Sequence, residues 1–263
     1  MTRTDRLSAI LELLSERGSV SVEELVDELS VSPATARRDL DSLAEQRLIK
    51  RTHGGARSHS ESFDLPLRFK YGQHSDAKRR IASLASRQVS EGSIIGLTGG
   101  TTLTSLAEEL ASRGEFDDAA GSALTVVTNA INIASLLVLR PRIKVVVPGG
   151  VVHSRSFELT GPFAEHTLAL MTLDIAFVGV NAVHHQLGAM VHDDEEARVN
   201  GLMVERAKKA FIVADSSKIG RRAFVRIGEL SAFDGLITDD GINAADREEF
   251  EAAGLQVLIA AAA

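Results

Sequence analysis

The chain has 263 residues, 44% of them hydrophobic and 25% charged, with a net charge of −7, which suits one small and one medium globular domain. The absence of cysteine rules out disulfides, thiol catalysis and cysteine-based zinc sites, and an aromatic content of 4% with no Trp and a single Tyr argues against recognition of single-stranded nucleic acids by base stacking. No apolar run is long enough to span a membrane and residues 1–10 hold no signal-peptide core, so a cytoplasmic location without a membrane partner is expected.

Residues 4–17 read as a first helix, with Leu7, Ile10, Leu11 and Leu14 on one face and Gly18 as its stop. Ser21 and Glu24 have the spacing of a capping box, and Val22, Leu25, Val26 and Leu29 give the second helix its apolar stripe. A tight connection leads to Ser32, a helix cap, and to Pro33, which costs nothing in a first turn. The third helix, 33–46, turns Ala36, Leu40 and Leu43 inward and leaves Arg38 near the opposite face, with Thr35 to one side and Arg37 on an edge. Residues 48–56 read as a short strand and a glycine turn, a wing.

An acidic chain needs a local basic surface to meet a polyanion. Residues 31–57 supply six cations (Arg37, Arg38, Arg47, Lys50, Arg51, Arg57) against three acids (Asp39, Asp41, Glu45). Two helices, a short turn and exposed Thr and Arg side chains on the third helix fit a recognition helix in the DNA major groove. Arginine can read guanine bidentately and threonine a base edge or a thymine methyl. The expected DNA-contacting residues are Ser32, Thr35, Arg37, Arg38, Lys50, Arg51 and His53. A three-helix module for protein interaction is the alternative reading.

The expected domains are 1–57, a winged helix-turn-helix; 58–74, a Ser-rich charged linker; and 75–263, an α/β effector-binding domain. After a helix over 75–89, short apolar strands at 93–97, 124–128, 143–147, 175–180, 210–214, 236–238 and 256–259 alternate with helices near 101–112, 130–139, 163–171, 195–209 and 244–253. The strands are continuous apolar runs, as in a parallel sheet covered on both faces. Residues 113–122 read as a surface loop, and no internal repeat is present.

Thr98, Gly99, Gly100, Thr101 and Thr102 follow a strand and open a helix. Backbone N–H groups at a helix start, glycines that allow close approach and two hydroxyls make a cradle for phosphate, although the segment is not a Walker A loop and a simple helix cap uses similar residues. Thr128 and Asn129, Gly149 and Gly150, and Asn181 end three other strands, and Lys218 follows a fourth. Ligands in open α/β sheets sit at such ends. Residues 192–196, with His184 and His185 nearby, read as an acid-rich helix start rather than a metal site.

Residues 31–56, VSPATARRDLDSLAEQRLIKRTHGGA, resemble the DeoR family of regulators, whose helix-turn-helix carries VS-x-x-T-x-RRDL and a wing ending in HGGA. The matching residues are Val31, Ser32, Thr35, Arg37, Arg38, Asp39, Leu40, Leu43, His53, Gly54, Gly55 and Ala56. The likeness continues through the GG-TT, VVTNA, VPGG, ADSSK and ITDD segments. It implies a winged-helix repressor of sugar-metabolism genes with a sugar-phosphate-sensing domain related to ribose-phosphate isomerases, acting on double-stranded operator DNA as a dimer or tetramer, without catalysis, metal or cofactor. It also underlies the effector role given to Lys218.

Two departures stand out. Asn181 and Ala182 replace the Asp-Gly pair common after the Gly-Val, and Gly188, Ala189, Met190 and Val191 stand where a GATT-like turn is expected. An asparagine is not a general base, which argues against the alternative of a sugar-phosphate isomerase with an appended helical domain. A second domain that serves only oligomerisation is a third reading.

Overall fold

The computed structural model describes residues 2–46, 48–57, 67, 74–114 and 123–262. The chain divides into two compact units, Met1–Gln73 and His74–Ala263. Arg47, most of the expected linker and residues 115–122 of the expected loop lie outside the described residues.

In the first unit, α1 (Arg3–Arg17) starts at a capping box made by Thr2 and Asp5. Strand β1 (Ser19–Ser21) follows, then α2 (Val22–Leu29), whose capping box is the expected Ser21 and Glu24 pair. Helix α3 (Pro33–Glu45) is capped by Ser32, whose side chain accepts from the Thr35 N–H. Ile10, Leu14, Leu25, Leu40 and Leu43 fill the core between the helices. The wing is β2 (Lys50–Arg51) and β3 (Gly55–Arg57), and β3 lies between β1 and β2 in a three-stranded antiparallel sheet. A Cβ at Gly55 would stand 2.0 Å from the Val20 carbonyl oxygen, so only glycine lets β3 approach β1 there.

The second unit is built on seven strands, all parallel: β4 (Ile94–Leu97), β5 (Leu124–Thr128), β6 (Ile143–Val146), β9 (Leu173–Gly179), β12 (Ala207–Val213), β14 (Gly235–Asp239) and β15 (Gln256–Ala260). Their order is β15-β14-β12-β9-β4-β5-β6. The helices are α4 (Ser75–Ser86), α5 (Thr101–Ser112), α6 (Ile131–Leu137), α7 (Pro162–Ala169), α8 (Asp194–Glu205) and α9 (Ala244–Ala252). Two apolar clusters flank the sheet, one containing Ile81, Leu103, Leu106 and Phe177, the other Leu168, Val178, Val199 and Met203.

Sheet order reverses direction between β4 and β9. From β4 the chain builds outward through β5 and β6, then returns to the other side of β4 and builds outward again. Such a switch point opens a crevice at the carboxyl ends of the strands, because the connections leave in opposite directions.

Two smaller pieces were not expected. A hairpin of β7 (Val151–Val152) and β8 (Leu159–Thr160) follows β6, and β10 (Ala182–His184), β11 (Gly188–Val191) and β13 (Val225–Gly228) form an antiparallel sheet. The GATT-like turn is thus corrected: residues 188–191 are strand β11, buried throughout. The expected helix over 195–209 is also shortened, since Ala207 and Lys209 pair with Leu173 and Ile175 of β9. Sheet pairing overrides the high helix propensity of Ala207, Lys208 and Lys209.

Candidate functional site

On α3 the inward positions are Ala36, Asp39, Leu40 and Leu43, which leaves Arg37 and Arg38 exposed. The Thr35 and Ser32 hydroxyl oxygens lie 2.9 Å apart, so the cap also orients Thr35. Lys50 and His53 are exposed on the wing. Arg51 is engaged differently: Nε lies 2.9 Å from Asp41 Oδ1 and Nη1 donates to the Gly55 carbonyl at 2.7 Å. It braces the wing against α3. Asp39 is buried and paired with Arg6 of α1, whose own pKa is raised by that hydrogen bond. One of the three acids counted in the basic segment is therefore neutralised inside the domain.

At the switch point, Thr98 follows β4 and its hydroxyl accepts from the Gly179 N–H at the end of β9, 2.9 Å away. It is wholly buried: it pins the two strands together. A Cβ at Gly179 would stand 2.4 Å from the Gly99 carbonyl oxygen, so this crossing needs glycine. Gly100 has φ +111 and heads α5 without a side-chain cap. The first-turn N–H groups of α5 therefore keep no side-chain acceptor at that position. Thr101 is half-buried and Thr102 buried beside them.

Neighbouring strands of a sheet lie about 4.8 Å apart. Asn129 ends β5 on one side of the cradle, and Asn181 follows β9 on the other. Gly149 and Gly150, with φ +81 and +125, follow β6, and Lys218 stands beyond β12. From β12 to β6 is about 19 Å at that spacing, too wide for one small sugar phosphate to touch both extremes. Thr128 is buried and accepts from the Ala130 N–H at 3.1 Å. Asn181 accepts from the His192 N–H at 3.1 Å. Lys218 holds buried Asp215 below the usual carboxylate range; burial pushes Asp215 up, and Lys218, the Ser217 hydrogen bond, Lys78 and His74 outweigh it.

The β7–β8 hairpin brings a residue to the centre that the sequence did not single out. Glu158 pairs with Ala130 across an isolated bridge, and its carboxyl packs on Gly99, where a Cβ would stand 2.3 Å from Oε1. Phe157 before it takes φ +62, an unusual backbone for a bulky residue that surrounding contacts must hold. Asn129 Nδ2 donates to Glu158 Oε2 at 3.0 Å and to Asn200 Oδ1 of α8 at 3.2 Å. Glu196 Oε1, on the first turn of α8, lies 2.7 Å from His153 Nδ1. Burial, then the neighbouring Glu196, push the Glu158 carboxyl up to about 8, against the lowering influence of the Asn129 and Asn200 amides and the Gly99 backbone. A single Glu inside FELTGP carries no motif. Its local signal is weak: a carboxyl set between the apolar Phe157 and Leu159.

Asp193 caps α8, with Asp194, Glu195 and Glu196 in its first turn, and the His184 and His185 rings stack at 4.5 Å. Among the described residues no group of three or more His, Asp or Glu is placed to hold a metal ion, and no helix is long and apolar enough to cross a membrane.

The profile of the DeoR-like helix-turn-helix domain matches residues 6–62 and that of the DeoR C terminal sensor domain residues 73–240. The chain is similar to the glycerol-3-phosphate regulon repressor of Escherichia coli (strain K12), 34% identical over 91% of this chain and 92% of that protein. It is also similar to the HTH-type transcriptional regulator GlpR of Haloferax volcanii, 36% identical over 98% of each. Among solved structures, ribose 5-phosphate isomerase A of Methanocaldococcus jannaschii aligns with 56% of this chain and 55% of its own, at 19% identity and a TM-score of 0.42.

Proposed function

The chain belongs to the DeoR family of regulators, and from that premise we propose that it is a repressor of sugar-metabolism genes whose operator affinity is set by a phosphorylated sugar or polyol. The observation that carries this reading is the uncapped start of α5 at the switch point, with Gly99, Gly100 and the hydroxyls of Thr101 and Thr102. Orphan N–H groups and the helix dipole favour an anion there. A relative that is a glycerol-3-phosphate regulon repressor supports a small phosphate ester.

Operator contact is assigned to Arg37, Arg38, Thr35, Lys50 and His53, with Ser32 and Arg51 holding Thr35 and the wing in place. The unit acts as a homodimer or higher oligomer, because one recognition helix covers few base pairs and specificity comes from paired half-sites. A gel shift with operator DNA, titrated with phosphorylated and unphosphorylated sugars, tests the whole reading. Operator affinity should change with a phosphorylated compound and not with its unphosphorylated counterpart. An affinity indifferent to every phosphate ester overturns the effector assignment.

One observation favours a second reading, a sugar-phosphate isomerase. Asn181 is no base, but Glu158, held at about 8 beside the cradle, has the tuning a general base needs. Incubation with ribose 5-phosphate separates the two: the regulator leaves the aldose unchanged, and an enzyme converts it to the ketose.

A further inference from the structure

Glu158 is an unexpected neighbour for an anion site. Its carboxyl lies against Gly99, the residue that opens the cradle, and among the described residues the charged group acting on it is Glu196. A second anionic group on the ligand would find no partner cation here, whereas a neutral hydroxyl can hydrogen-bond to a carboxyl in either protonation state.

The two amides beside it are incompletely used. Asn129 is wholly buried and Asn200 is 1% exposed. Asn129 Nδ2 is occupied, yet Asn129 Oδ1 and Asn200 Nδ2 have no hydrogen-bond partner. Buried polar groups are almost always paired, so one acceptor and one donor are left over in the same cluster as Glu158. A hydroxyl is both donor and acceptor and satisfies such a set. Glu158 adds carboxyl oxygens that accept from a second hydroxyl.

Resting on the phosphate cradle proposed above, we infer that Asn129, Glu158 and Asn200 read the hydroxyl groups of the effector. The ligand class is then a phosphate monoester of a neutral polyol or sugar, with a free hydroxyl close to the ester. Alkyl phosphates lack the groups that are read. Phosphorylated acids bring a charge for which Asn129, Glu158 and Asn200 offer no cation. Glu158 is thereby a specificity-determining residue.

The test is calorimetric titration of the full-length protein. The ligands are sn-glycerol 3-phosphate, fructose 1-phosphate, ribose 5-phosphate, glucose 6-phosphate, propyl phosphate, 3-phosphoglycerate and inorganic phosphate. The best hydroxylated ester should bind at least about tenfold more tightly than propyl phosphate or 3-phosphoglycerate, because a site built for a hydroxyl rejects the analogue without it. Glu158→Met should shrink the preference over propyl phosphate below about threefold, with propyl phosphate itself bound as well as before or better. A purely structural role would weaken both ligands together. Should that variant not fold, Asn200→Ala, which removes a side chain from α8 and keeps the helix, should produce the same narrowing. Equal binding of propyl phosphate and the hydroxylated esters by the wild type overturns the hydroxyl assignment and leaves the cradle standing. So does tightest binding of 3-phosphoglycerate, or a variant that loses all esters in proportion. If no phosphate compound binds, the cradle falls and this inference falls with it.

Discussion

Arg6 on the first helix and Asp39 on the recognition helix form a two-point ion pair, with Nη2 donating to Oδ1 at 3.1 Å and Nε to the other carboxylate oxygen. Asp39 is 1% exposed, so its charge has this arginine in place of water. The pair fixes the axial position of α3 on its neighbour, and with it the height at which Arg37 and Arg38 are presented.

Removing Arg6 leaves the buried carboxylate without its partner. Arg6→Met is expected to destabilise the first unit by about 1–3 kcal/mol. Urea unfolding followed by circular dichroism measures it. An unchanged midpoint would show that the pair adds nothing to stability.

Arg38 is exposed, opposite the inward face of α3, and among the described residues it makes no ion pair or side-chain hydrogen bond. Arg38→Ala should cost about 1–3 kcal/mol of operator affinity if the guanidinium reads a base, with the melting temperature unchanged. A gel shift at fixed salt reads the loss; full affinity in a folded variant would remove Arg38 from the base-reading set.

Thr101 stands at the first position of α5. An aspartate there complements the helix dipole, so Thr101→Asp should keep the fold. The same charge repels a phosphate, and the variant should bind operator normally while losing its response to effector. A wild-type response would place the phosphate elsewhere.

Glu158 gives the second unit a pH dependence of definite sign. Its pKa rises from the ordinary 4.5 to about 8 on folding, so the native state holds a proton that the unfolded chain releases. The stabilisation is complete below about 4.5, declines as pH rises through that window, and levels off above about 8. Thermal melts of the full chain from pH 5 to 9 should show the sensor transition falling with pH. Glu158→Gln should flatten that slope; an equal slope in the variant would assign it to other groups.

Much of the fold was legible in the sequence for simple reasons. Each strand of the parallel sheet carries a short apolar stretch, with charges such as Lys144, Asp174 and Lys208 near the strand starts, and the caps at Ser21, Ser32 and Asp193 announce their helices through residue type and spacing. The hairpin of β7 and β8 was not legible, since its strands are two residues long and exist only by packing on Ala130 and Asn129. The same limit hid Glu158. The cradle could be placed from local glycines and hydroxyls, but the residues facing it arrive from α8 and from beyond β6. The engagement of Arg51 by Asp41 and by the Gly55 carbonyl was likewise not readable from the sequence.

The seam between β4 and β9 pairs Ile95 with Ile175, residues far apart along the chain. Closing so long a loop costs chain entropy before any contact offsets it, and pairings of this kind form late and slowly. A nascent chain can complete β4, β5 and β6 while β9 is still unmade, and in that state Thr98 has no Gly179 to hold. Ligand recognition is thus acquired only after most of the polypeptide has been synthesised, well after the DNA-reading helices have emerged. A compound that binds the folded state across the seam would, by mass action, favour the assembled sheet over forms in which β9 is not yet paired.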